Sequence, residues 1–142
     1  MSATAPAEDA TRQANRAVVQ AVLETITSGE FEKLADYVTD DLVFELPYGP
    51  AFMPNPVHGR DAWNQMQLMT FKMFSSFKQT LLHIHDGLDP DRLVAEYQSN
   101  AVVASNGKDY INRYIGVFQF RDRKISEWRE YHNPDATRVI GE

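Results

Sequence analysis

The sequence predicts an α+β domain with its helices packed on one face of a curved antiparallel sheet. Helical apolar periodicity dominates the chain up to about residue 75, strand patterns take over from Phe77, and a good Asn-Gly turn at Ser105-Asn106-Gly107-Lys108 joins two of those strands. The resulting order is helix, helix, strand, helix, then four strands. Helices gathered ahead of a run of antiparallel strands form separate layers instead of the alternating layers of a parallel sheet.

Residues 1–8 are small and polar and are expected to be frayed, leaving residues 9–142 as one domain. In the first helix Ala14, Val18, Ala21, Val22 and Ile26 recur at helical spacing, and Ser28-Gly29 supplies a stop. A shorter helix follows from Glu30 to Val38 through Phe31, Leu34 and Ala35, ended by Thr39-Asp40-Asp41. Leu42 to Tyr48 alternates as a half-buried strand. The segment PYGPAFMPNPVHG then holds four prolines and two glycines in thirteen residues, so neither helix nor central strand persists there. Its apolar Phe52 and Met53 suggest a loop that covers something. From Arg60 to about Ser75 a third helix carries Trp63, Met66, Met69 and Met73 at helical spacing, expected as core. Strands are read at about Phe77–His85 and Arg92–Val103, followed by a long hairpin from Asp109 to Asp135.

That hairpin carries the chemistry. Tyr114 to Phe120 is apolar on both faces and belongs in mid-sheet, and Arg121-Asp122-Arg123-Lys124 forms the polar turn. Alternation from Ile125 to Asn133 puts Trp128, Glu130 and His132 on one face, with Glu127, Arg129 and Tyr131 on the other. Asn133-Pro134 ends the strand, because proline has no N–H for the ladder.

Composition narrows the function classes. A net charge of -6 and a pI near 5.2 carry no electrostatic footprint for nucleic acid or an anionic membrane. Zero cysteines exclude disulfide and thiolate chemistry and fit a cytoplasmic location. The first residues show no basic segment followed by an apolar one, and no apolar run reaches the roughly 20 residues of a membrane span.

The order of elements, the HGRDAW opening of the third helix and the strand INRYIGVFQF followed by KISEWREYHNP resemble the nuclear transport factor 2-like superfamily, also called SnoaL-like. Within it the likeness is nearest to the paired A and B proteins of phenazine biosynthesis. It covers roughly Phe31 to Thr137 and is most specific at Gly59-Arg60 and at Arg129-Glu130-Tyr131-His132-Asn133-Pro134. The resemblance implies a cone in which a strongly bent sheet wraps round three helices and opens at one end to an apolar pocket. It implies Glu130 as a general acid or base, the role held by the glutamate of the similar Arg-Glu-aromatic-x-Asn-Pro run. It further implies a homodimer paired through the outer face of the last three strands.

The residues themselves leave alternatives beside these roles. A carboxylate in an apolar cavity has its charged form destabilised and titrates nearer neutrality, which suits proton transfer. Glu130 could instead pair with a cross-strand Arg113. His132 is about two strand residues from Glu130, able to contact the same ligand or to be structural. The candidate substrate-binding residues are Tyr48, Phe52, Trp63, Met66, Met69, Tyr114 and Trp128. For Asp135, turn or helix capping is the better expectation. His83 and His85 form an H-x-H pair without a recognisably spaced third ligand, so no metal is expected. The expected activity is cofactor-free isomerisation, cyclisation or condensation of a small apolar or aromatic ligand. The alternatives are a binding protein that uses the same pocket without turnover, and a dimeric scaffold.

Overall fold

A computed structural model describes residues 6–51 and 53–142. Helix α1 runs Pro6–Ser28, so residues 6–8 extend the helix beyond its expected start. Proline is tolerated in a first helical turn, where its missing N–H would have no partner, and Glu8 and Asp9 there complement the helix dipole. The helix ends at Gly29, which adopts φ 76° and donates its N–H to the Thr25 and Ile26 carbonyls. Its buried stripe is Val19, Val22, Leu23 and Ile26, with Val18 only half-buried. Of the expected stripe Val22 and Ile26 are buried, Ala14, Val18 and Ala21 are half-buried, and Val19 and Leu23 complete the buried face. Asn15 is wholly buried on the same side, and its amide donates to the Pro90 carbonyl at 2.9 Å, which ties α1 to a distant turn.

A 3₁₀ helix at Phe31–Asp36 replaces the expected second α-helix and buries Phe31 and Leu34. Strand β1 covers Val38–Glu45, earlier along the chain than the alternation from Leu42 suggested. The proline-rich segment contains a strand of two residues, β2 (Val57–His58), that the sequence reading missed. It pairs with β1 through Val43 and Phe44, and Asn55 completes the ladder by bonding both backbone groups of Leu46. Helix α2 then spans Arg60–Phe71, and Phe74, expected in that helix, begins the next strand.

The remaining strands are β3 (Phe74–Asp86), β4 (Arg92–Val103), β5 (Asp109–Arg121) and β6 (Lys124–His132). The turn between the last two places Asp122 and Arg123 at φ 53° and 64°, the left-handed pair that a two-residue hairpin requires, without the glycine that usually supplies it. A second 3₁₀ helix, Ala136–Gly141, follows. Asp135 stands just before it and makes no side-chain cap; its own N–H is instead bonded by the Asn133 side chain at 3.0 Å.

Among the described residues six strands form one curved sheet in the order β2-β1-β6-β5-β4-β3. The expectation of a wholly antiparallel sheet is corrected at one point: β1 lies parallel to β6. This is possible because the whole of α2, β3, β4 and β5 intervenes, far more chain than a parallel crossover needs. Both α-helices pack on the concave face, α1 mainly on β3 and α2 mainly on β1. Beneath them lies the main core, which includes Leu23, Leu34, Phe44, Trp63, Phe118, Ile125 and Trp128. Strand β5 alternates strictly rather than being covered on both faces, for Ile111 and Ile115 on the convex side are 56% and 46% exposed.

Candidate active site

Three antiparallel strands set the site, and their register fixes which side chains meet. On the concave face Tyr97, Tyr114 and His132 lie in one row; Ala95, Gly116 and Glu130 in the next; and Leu93, Phe118 and Trp128 in the third. Period-2 alternation therefore does bring Trp128, Glu130 and His132 to the inner side of the sheet. Glycine at 116 is a packing requirement. A Cβ there would stand 2.6 Å from a Phe118 ring carbon and 3.0 Å from one of Tyr97, so those two rings can close over the backbone opposite Glu130 only because no side chain is present.

Glu130 makes its hydrogen bond with Tyr97, whose hydroxyl donates to Oε2 at 2.6 Å. The same phenol oxygen accepts the indole N–H of Trp128 at 3.1 Å. Burial pushes the Glu130 carboxyl up to about 7, partly opposed by the Tyr97 hydrogen bond. Burial and the neighbouring Glu130 hold the Tyr97 phenol well above its ordinary range, so it stays neutral. Arg113, the cross-strand candidate for an ion pair, belongs to the opposite face, where its guanidinium bonds Gln98 at 2.9 Å. Arg129, also on that face, bonds the Tyr131 hydroxyl.

A second set of polar groups adjoins the first. Tyr114 stacks on Tyr97 with centroids 5.1 Å apart, and its hydroxyl shares hydrogen bonds with Ser99 at 2.7 Å and Tyr110 at 3.1 Å. Asn112 donates to the Tyr110 hydroxyl and to the Asn133 carbonyl, and accepts the Asn133 N–H, which ties the end of β6 to β5. His132 is half-buried, its Nδ1 has no partner among the described residues, and burial lowers its pKa, favouring the neutral ring.

The other sequence-derived candidates separate. Trp63 is fully buried against Trp128 at 5.6 Å, its indole N–H without a partner, and Met66 packs against the same core. Met69 does not join them: it is 70% exposed, and Met73 is also exposed. A step of three residues falls about 60° short of a full turn each time, so the inward stripe passes from Trp63 and Met66 to Phe71. Tyr48 is 58% exposed and meets Tyr131 edge-on at 5.9 Å, on the outer side rather than at the inner rim. Phe52 lies outside the described residues. Tyr97, Ser99, Tyr110 and Asn112 were missed, although the alternation of β4 and β5 carries their signal as hydroxyl and amide groups at inward positions.

The space beside Trp128 is occupied by the rings of Phe44, Trp63 and Phe118 at 5.5, 5.6 and 4.8 Å, where an open apolar pocket was expected. Two cavities stand out among the described residues, and neither borders Glu130. One of about 160 Å³ lies on the convex face by Val43, Gln119 and Arg129, and one of about 320 Å³ lies between α1 and β3. Among the described residues no group of three histidines and carboxylates converges on a metal position. His85 instead bonds Glu96 at 2.7 Å and packs against His83.

The sequence profile of the SnoaL-like domain matches residues 19–128. The chain belongs to the SnoaL-like family. Two relatives extend that match. The uncharacterized protein YesE of Bacillus subtilis is 30% identical over 67% of the chain, which spans 65% of that relative's length. An uncharacterized PhzA/B-like protein of Pseudomonas aeruginosa is 26% identical over 79% of each chain. Among solved structures, a candidate isomerase of B. subtilis superposes with a TM-score of 0.82 at 22% identity, over 92% of this SnoaL-like chain and 94% of that one. That likeness supports the fold. No helix among the described residues is long and apolar enough to cross a membrane.

Proposed function

We propose that this SnoaL-like protein is a small-molecule enzyme that moves a proton on an apolar or aromatic ligand, without a cofactor, using Glu130 as general acid or base. The observation that carries this reading is the state of Glu130: an inward carboxyl, bonded to a neutral phenol instead of a cation, and raised by burial to about 7. Such a group can both take and give a proton near neutral pH. Isomerisation, cyclisation and condensation each need that step, and secondary metabolism is the proposed setting. His132, with a free ring nitrogen, orients the ligand, and Trp63, Met66, Tyr114 and Trp128 contact it. Rings pack closely round Trp128, so entry requires half-buried side chains such as Met66, Phe77 and Leu81 to move.

The test is turnover on a panel of cyclic enones, β-keto esters and hydroxylated aromatic ketones, with products followed by NMR. Glu130→Gln is expected to keep the fold and the binding of the active panel member while lowering turnover by about 10² to 10⁴. His132→Asn is expected to cost less. Unchanged turnover in Glu130→Gln would remove the glutamate from the mechanism; tight binding without turnover would favour the binding-protein reading. The protein is further proposed to act as a homodimer joined through the convex face, where Ile111 and Ile115 are exposed.

A further inference from the structure

We infer that Tyr97 is the positioning residue of the site: its hydroxyl holds Glu130 by one oxygen, so that Oε1 alone is presented to a ligand's proton. This rests on the reading of Glu130 as the proton-transfer group. The direction of the bond follows from donor chemistry. An indole N–H can only donate, and that of Trp128 points at the Tyr97 oxygen from 3.1 Å. The phenol's own hydrogen is thereby directed to Glu130 Oε2, 2.6 Å away. Trp128, Tyr97 and Glu130 thus form a one-way chain of donors ending on a carboxylate, in which each bond polarises the next.

Nothing in this chain is free to turn. Tyr97 is fully buried, stacked on Tyr114 with an interplanar angle of 17°, and its ring comes to 3.0 Å from where a Cβ on residue 116 would stand. Trp128 is 1% exposed and wedged between Phe44, Trp63 and Phe118. A carboxylate on a flexible glutamate stem is held in this way without a cation, which would pin its pKa low and spoil it as a base. When Oε1 takes up a proton, Oε2 still accepts from Tyr97, so the carboxyl keeps its place through both protonation states.

The same bond tunes the titration. It favours the carboxylate, against the burial that favours the acid. The titratable groups nearest Glu130 on this face are Tyr110 and Tyr114 of β5, kept neutral by burial, and His132 of β6, biased toward its neutral form; further along the face Asp86 of β3 is paired with Arg16 of α1. The residues that α1 and α2 bury include no charged side chain. Removing the Tyr97 hydroxyl therefore leaves burial unopposed.

The experiment is an NMR titration of protein carrying ¹³C at its glutamate side-chain carboxyls, with the Glu130 resonance assigned by its loss in Glu130→Gln. In Tyr97→Phe the Glu130 midpoint is expected to rise by about one to two pH units, the worth of a hydrogen bond to a charged group. Trp128→Phe, which leaves the phenol but removes the N–H behind it, is expected to move the midpoint the same way by less. An unshifted midpoint in Tyr97→Phe would overturn the inference, and if that variant does not fold, an unshifted Trp128→Phe would do so. A parent protein whose Glu130 titrates near 4.5 would overturn the acid or base reading instead, whatever Tyr97→Phe does.

Discussion

Ionising Glu130 where it stands works against the fold. Its carboxyl titrates near 7 in the folded chain and near the ordinary 4.5 when unfolded, so between those values the folded state binds more protons. Its contribution to stability is thus complete below about pH 4.5 and is lost as pH rises through 7, amounting to about 3 kcal/mol at full ionisation. His132 acts oppositely: with its pKa lowered, it costs stability as pH falls below its unfolded value of 6.5. Urea unfolding at pH 5 and pH 8 separates the two. The parent is expected to lose stability across that interval, whereas Glu130→Gln retains only the upward trend of His132. Parallel behaviour of the two proteins would mean that Glu130 is solvated in the folded state. A half-buried carboxyl without a cation is a feature that a neutral isostere relieves.

At the scale of the strands, Gly116 decides how closely the inner rings can approach. Alanine would ordinarily gain about 0.5–1 kcal/mol over glycine inside a strand by restricting the unfolded chain. Here its Cβ would sit 2.6 Å from Phe118, and overpacking of that kind costs about 1–3 kcal/mol, so the clash wins. Gly116→Ala is expected to lower the denaturant midpoint and to disturb the Tyr97 to Glu130 bond, seen as a changed Glu130 midpoint. A variant as stable as the parent would mean that the rings have slack. This dependence also explains what was legible in the sequence. Period-2 alternation places Trp128, Glu130 and His132 together from one strand alone. Tyr97 reaches Glu130 diagonally from two strands away across the gap at Gly116, and that relation depends on register, which no single strand encodes. The stripe of α2 departs from expectation for a simpler reason, since Trp63, Met66 and Met69 invite a step of three that a helix of 3.6 residues per turn does not keep.

For the whole molecule, the layer order was legible because helical and strand periodicities occupy separate stretches. The parallel pairing of β1 with β6 was not, since the strands are about eighty residues apart and neither one's pattern names its partner. The proposed dimer belongs to this scale. A convex face bearing Ile111 and Ile115 beside Arg113 and Gln98 suits an isologous contact. Sedimentation at micromolar concentration is expected to give twice the 16.2 kDa of the chain, with Ile115→Lys shifting it toward the monomer, and a parent sedimenting as a monomer would refute the pairing. The position of β6 between β1 and β5 has a consequence for biosynthesis. On the ribosome, α1, β1 and α2 emerge long before the strand that gives β1 its long partner, and at about 5–20 residues per second the nascent chain must carry their apolar faces uncovered for roughly 4–16 seconds. Lys124–His132 is then the insertion that joins the two halves of the sheet, and the same nine residues that bring in Glu130 close the open edges of β1 and β5.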